Sequence, residues 1–328
     1  MRSRFLAMTI ITAFTATAHA QDKVKYRERG SRTGELTATG KVENESVAGL
    51  KVGNKTIPSG DIIDVQFDVP GELKLDYNRA LGEEAKNPAN AVKELEALLK
   101  VQRVKDSKSL RRHFEYKIAT IAAGRADDSA EAMQKAVEAL AKFRKDHPDS
   151  WQVVPVTRLL GRLLTSKETP DPDAARKVYD DLAAAKDAPA DVRHECTFLV
   201  IDILLQQGKA EEVLARLKTL PPSDARVKVY EIGARPGPAE AVVKQLEEFI
   251  DKTADAGLKA AAYNMIGDVY RRDPKAKKDA LYAYLKVDLL YNQDPAESQK
   301  AMQRIADLFQ ELKDEDRAKK YREKARGK

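Results

Sequence analysis

The sequence predicts a mainly α protein, an α–α superhelix preceded by a small all-β module. Three observations lead there. Short segments rich in Val, Ile and Thr are confined to residues 22–68, helical periodicity dominates from Gly71 to the C-terminus, and small residues recur along the helical part. Aromatic residues are 6% of the 328, while Ala, Leu, Glu, Lys and Arg recur throughout, a composition that favours helix over sheet.

At the N-terminus, Arg2 and Arg4 precede an apolar run from Phe5 to Ala18, and Ala18-His19-Ala20 closes it. This layout is expected to be a secretory signal over residues 1–20, cleaved before Gln21. The run is shorter than the roughly 20 residues that a spanning helix needs, so no integral membrane span is expected after cleavage. Without the two arginines the formal net charge falls from +6 to +4, too mild a surplus for a nucleic-acid footprint. The single Cys196 has no intramolecular disulfide partner and falls in the apolar run "CTFLVIDILL", where it is expected to be a core residue.

Residues 22–68 hold "KVKYR", "GELTATGKV", "SVAGLKV", "KTIP" and "IIDVQFDV", separated by Gly, Asn, Ser and Pro. Such short, partly alternating strands predict an antiparallel sheet or barrel. The module resembles small barrels of the SH3-like or Sm-like kind.

From residue 71 to 328 the punctuation changes. "SKETPDPDA", "TLPPSDA" and "GARPGPAEA" mark turns between helices. One helix contains "YNMIGDVY", in which Tyr263, Ile266, Gly267 and Tyr270 stand at i, i+3, i+4 and i+7 and so share a face. A helical glycine costs roughly 1 kcal/mol relative to alanine, so Gly267 is expected to admit a close neighbour. Ala280 and Tyr284 follow on the next helix, with Pro295 after them. An earlier unit repeats the scheme with Leu160, Gly161 and Leu164, then Ala175 and Tyr179. Second-helix anchors fall at Ala91, Ala136, Ala175, Val213, Val242, Ala280 and Ala318, at intervals of 45, 39, 38, 29, 38 and 38 residues.

These residues resemble the tetratricopeptide (TPR) helix pair, whose pattern is W-x2-L-G-x2-Y, then A-x3-F, then P. The resemblance runs from about Leu73 to the C-terminus and implies a TPR-like solenoid of degenerate repeats. "FRKDHPDSWQ" is similar to the unit junction of exported, envelope-associated bacterial members. The stretch "VYEIGARPGPAEA" departs from the pattern, because it lacks the Leu-Gly step.

Motifs for chemistry are sparse. "HECTF" begins like H-E-x-x-H but places Phe198 where the second ligand belongs, and no phosphate-cradling glycine loop or hydrolase elbow occurs. The spaced acids of "DPDAARKVYDD" lack the glycine of a calcium loop and read as a turn followed by a helix start. Neither a metal nor a cofactor is expected. A basic cluster of Lys100, Arg103, Lys105, Lys108, Arg111 and Arg112, and a basic tail from Arg317, are candidate anionic-partner patches.

The expected function is therefore a non-catalytic protein-interaction scaffold of the periplasm or cell envelope, holding protein partners on the concave face of the solenoid. Two alternatives stand beside it: an accessory binder of anionic envelope polymer, and a helical-toroid enzyme acting on polysaccharide.

Overall fold

The structure, a computed structural model, describes residues 21–28, 34–166 and 170–325. The signal reading at residues 1–20 lies outside them. Six strands come first: β1 (Asp22–Tyr26), β2 (Leu36–Gly40), β3 (Val42–Ser46), β4 (Gly49–Val52), β5 (Lys55–Pro58) and β6 (Ile62–Gln66). They form two antiparallel three-stranded sheets, ordered β2-β1-β6 and β3-β4-β5. Both sheets are open, so the sheet alternative holds and the barrel does not form among the described residues. In β1, Val24 and Tyr26 point inward while Lys23 and Lys25 face out, the two-residue period of a half-buried strand.

Helices supply the rest: α1 (Gly71–Glu83), α2 (Pro88–Leu99), the single turn α3 (Gln102–Lys105), α4 (Lys108–Gly124), α5 (Ala130–Asp146), α6 (Val153–Leu164), α7 (Pro172–Ala184), α8 (Ala190–Gln206), α9 (Ala210–Leu217), α10 (Ala225–Ala234), α11 (Ala239–Lys252), α12 (Ala256–Tyr270), α13 (Lys277–Leu290), α14 (Pro295–Glu311) and α15 (Glu315–Ala325). Their starts follow the chain's local chemistry. Asn87, Ser107, Ser129, Asp255 and Asp294 each accept a hydrogen bond from a backbone N–H of the first turn, satisfying a donor that the helix itself leaves open. Pro88 and Pro295 sit at first helical positions, where the missing N–H removes nothing. The acidic "DPDA" run opens α7, so it is a helix start. Gly208 ends α8 at φ +71°, a left-handed turn that a side chain would disfavour.

The chain divides into two compact units. One takes the strands, α1–α6 and Ala185–Val192; the other takes Pro172–Ala184 and the chain from Arg193 onward. In the first, Val24, Tyr26, Leu50, Val52, Ile57 and Val65 close around buried Trp151, with Tyr116 of α4 against them, so the sheets pack on helices and not only on each other. A second core joins α1, α2 and α4 through Leu73, Tyr77, Leu95, Leu98 and Phe114.

His113 of α4 lies at the edge of that second core, 1% exposed, with its Nε2 sharing a 2.6 Å hydrogen bond with the Tyr77 hydroxyl. Burial, with a smaller push from Lys117, drives its pKa down to about 3. The imidazole is therefore neutral when folded but protonates near pH 6.5 once unfolded. The unfolded state binds the extra proton between these values, so stability present above pH 6.5 is lost as pH falls toward 3. The loss is of the order of 5 kcal/mol at 1.36 kcal/mol per unit. Urea midpoints measured from pH 7 to 4 are expected to fall more steeply for the natural protein than for His113→Phe. Parallel curves would refute this.

In the second unit, successive helices lie side by side: α11 against α12, α12 against α13, α13 against α14 and α14 against α15. First helices also touch the next first helices, α10 on α12 and α12 on α14, which is how stacked helix pairs bury a continuous core. Ala260, Ala280, Tyr284, Val287, Ala301, Ile305, Leu308 and Ala318 form that core.

The anchor residues show a regularity. Ala91, Ala175, Val213, Val242, Ala280 and Ala318 are each the fourth residue of their helix, in α2, α7, α9, α11, α13 and α15. Each is at most 3% exposed, as is Ala136, the seventh residue of α5. Ala280 and Ala318 lie in the core that joins α12 to α15.

Candidate functional site

Gly267 of α12 sits beside Tyr284 of α13. A Cβ on Gly267 would lie 2.6 Å from Cζ and 2.7 Å from Cδ1 of that ring. The ring is fully buried, and its hydroxyl donates to Asp268 Oδ1 at 2.7 Å. The glycine is thus the gap that seats the tyrosine. Ile266 and Gly267 are buried, whereas Tyr263 and Tyr270 are half-buried. Tyr263 stacks on Tyr291 at 5.4 Å with Lys286 Nζ 4.7 Å over its ring. In the other predicted unit Leu160, Gly161, Ala175 and Tyr179 are buried and Leu164 is half-buried.

Asp268 belongs to a larger constellation built by four first helices of the second unit. Lys300 on α14 donates to Asp202 Oδ1 of α8 at 2.6 Å and lies 3.3 Å from the Tyr230 hydroxyl of α10. Tyr230 itself donates to Asp202 at 3.0 Å. Asp268 of α12 is 3.9 Å from Lys300 and 3.1 Å from Arg304. Asn264, one turn before Asp268, donates to Glu297 at 2.7 Å, and Asn264 Oδ1 has no protein partner. Next to these, Arg226 lies 4.3 Å over Phe198, which packs on Tyr230 with His194 beyond it.

Electrostatics hold the charges in place. Burial works against the charge of Lys300, but Asp202 and Tyr230 outweigh it and hold its pKa above the lysine range. Asp268 would be raised by burial, yet Arg304 and Lys300 keep it below the carboxylate range. Glu297 is raised, because burial exceeds the pull of Lys300 and Asn264. The side chains of Lys300, Asp202, Asp268 and Arg304 keep 12–16% of their surface exposed, so the cluster is reached by solvent at its surface.

The basic cluster is arranged differently from its sequence. Arg103 faces Glu72 at 2.6 Å, Lys108 faces Asp149 at 2.7 Å, and Arg111 faces Glu115 at 3.6 Å. Arg112 is 3% exposed in its side chain and lies between Glu45 and Asp149, each at 3.3 Å. It lines a shallow cleft of about 160 Å³ with Lys108 and β3. Lys100 and Lys105 remain exposed.

Sequence reasoning found Gly267 and the anchors but not the network, which draws on residues from four helices with no local motif. It also set aside the "VYEIGARPGPAEA" unit, where Gly233 of α10 packs against Met265: a Cβ there would lie 2.6 Å from Met265 Cγ. The signal was present as Ile232-Gly233. Compared with known proteins, the chain matches no family model, and no curated protein matches it significantly.

Proposed function

We propose that the chain is an exported, non-catalytic interaction scaffold of the periplasm or envelope, built from degenerate TPR-like hairpins that hold protein partners on a concave face. The supporting observation is the convergence of α8, α10, α12 and α14 on a set of charged side chains that keep 12–16% of their surface exposed and rest on buried Phe198 and Tyr230. The exposed part of Arg226, which pairs with Asp224 at 2.8 Å, and the half-buried Glu297 and Lys300 can meet backbone amides and carboxylates of a bound segment, with Phe198 and Asn264 buried beneath them. The Arg and aromatic content is also what interface centres favour. The polymer-binding alternative has less support, since Arg103, Lys108, Arg111 and Arg112 already face carboxylates.

A photo-crosslinking residue at Arg226 is expected to capture a discrete protein partner in native envelope preparations, and the same residue at exposed Lys244 is not. Capture at both sites alike, or at neither, would count against the reading. Yield from position 226 should survive a rise from 50 to 200 mM salt, over which polymer contacts would collapse. One observation favours the enzyme alternative: Asp268 and Glu297 have pKa values driven in opposite directions, the pattern of an acid and its charged companion. Cleavage of envelope polysaccharide that disappears in Glu297→Gln would replace the scaffold reading.

A further inference from the structure

The outward side of α13 carries an unusual surface. Tyr282, Leu289 and Leu290 are 63%, 69% and 59% exposed, three of the seven large apolar side chains that stand in solvent among the described residues. Together with Lys278 and Lys286 they fall within an arc of about 120° at 3.6 residues per turn. The opposite arc, with Ala280, Ala283, Tyr284 and Val287, is buried in the second unit. Tyr282 stands in the middle of the helix, and Leu289 and Leu290 are its last two residues, all on the side away from the core.

Its charges are those of an anion-seeking surface. Lys278 is exposed and engages no carboxylate among the ion pairs of the described residues. Lys286 lies over the Tyr263 ring, a contact that leaves its charge unneutralised. Exposed Asp279 lies inside the arc, about 20° from Leu290, and leaves the face a net charge of +1. Lysines flanking leucines and a tyrosine make the pattern of helices that rest in a membrane interface, where the apolar side chains enter the acyl boundary and the ammonium groups stay at headgroup level. The shape agrees. This face is the convex side of one helix, and a planar bilayer needs no pocket to receive it, whereas protein anchors generally seat in one.

We propose that the Lys278–Leu290 face of α13 docks the protein on an anionic lipid surface, with Tyr282, Leu289 and Leu290 entering the interface. The proposal stands on this helix alone and is independent of partner capture at Arg226.

The test uses the full chain carrying Leu289→Cys labelled with an environment-sensitive fluorophore; Cys196, 1% exposed, is replaced by Ser to keep labelling at one site. Vesicles of phosphatidylglycerol and phosphatidylcholine are compared with pure phosphatidylcholine. Expected are a blue shift, quenching by an acyl-chain quencher, and at least several-fold tighter binding to the anionic vesicles, with no response from a label at Lys244→Cys. Adding Tyr282→Ser and Leu290→Gln should abolish the shift. Because the readout is local to α13, insertion of the apolar Phe5–Ala18 stretch does not mimic it. No shift at position 289, an equal shift at 244, or a lipid-independent shift that grows with protein concentration, the sign of a second copy on this face, would overturn the proposal.

Discussion

Gly267→Leu is expected to destabilise the second unit by about 2–3 kcal/mol, the range of a core forced to accept extra methylenes. The neighbouring ring has nowhere to go. Tyr284 is fully buried, its hydroxyl is tied to Asp268, and a bare Cβ at position 267 already intrudes on Cζ and Cδ1. Alanine would recover roughly 1 kcal/mol of helix propensity and still meet the ring, so Gly267→Ala should fall between the two. Gly233 provides the comparison. Its opponent is the side chain of Met265, which bends where a tyrosine ring does not, so Gly233→Ala should cost less than Gly267→Ala. Thermal unfolding of the three variants measures the order. An unchanged midpoint for Gly267→Leu, or a larger loss at 233 than at 267 for alanine, would remove the close-contact account.

Lys300→Met is expected to cost about 2–4 kcal/mol, more than the double variant Lys300→Met/Asp202→Leu. Removing one partner of a largely buried pair leaves the other charge without compensation, whereas replacing both by apolar groups removes the burden along with the bond. The side chains keep 16% and 12% exposure, which lets water soften the effect and sets the figure toward the lower part of the range for buried pairs. Urea midpoints for the two singles and the double close the cycle. A double variant less stable than Lys300→Met alone would mean that the pair is a net stabiliser and not a structural constraint.

Much of the architecture was legible because it is local. Helix starts are written in Asn87, Ser107, Asp255 and Asp294, and the close contact in the Ile266-Gly267 step. Anchor positions emerged from spacing alone, since six of the seven fall one turn into a helix, and Ala136 falls nearly two turns in. What stayed hidden was long-range. Along the chain the basic cluster has few acids between its bases, yet Arg103 and Arg112 find their counter-charges in Glu72, Glu45 and Asp149, between 31 and 67 residues away. Asp202 and Lys300 stand 98 residues apart, and no local pattern links them. Ile232-Gly233 was overlooked for another reason: without aromatic residues on both sides the step lacks the context that marks it. The barrel alternative gave way to open sheets because strand pattern fixes which residues face inward but not whether a sheet closes.

The bond from Lys300 to Asp202 also sets an order of events. During synthesis α8, α10 and α12 leave the ribosome well before α14, so Asp202 and Asp268 must wait for Lys300 and Arg304 while the later hairpins are still being made. Until α14 arrives, the nascent array carries acids at its centre with their principal counter-ions missing, and this late-made helix is the one that neutralises them.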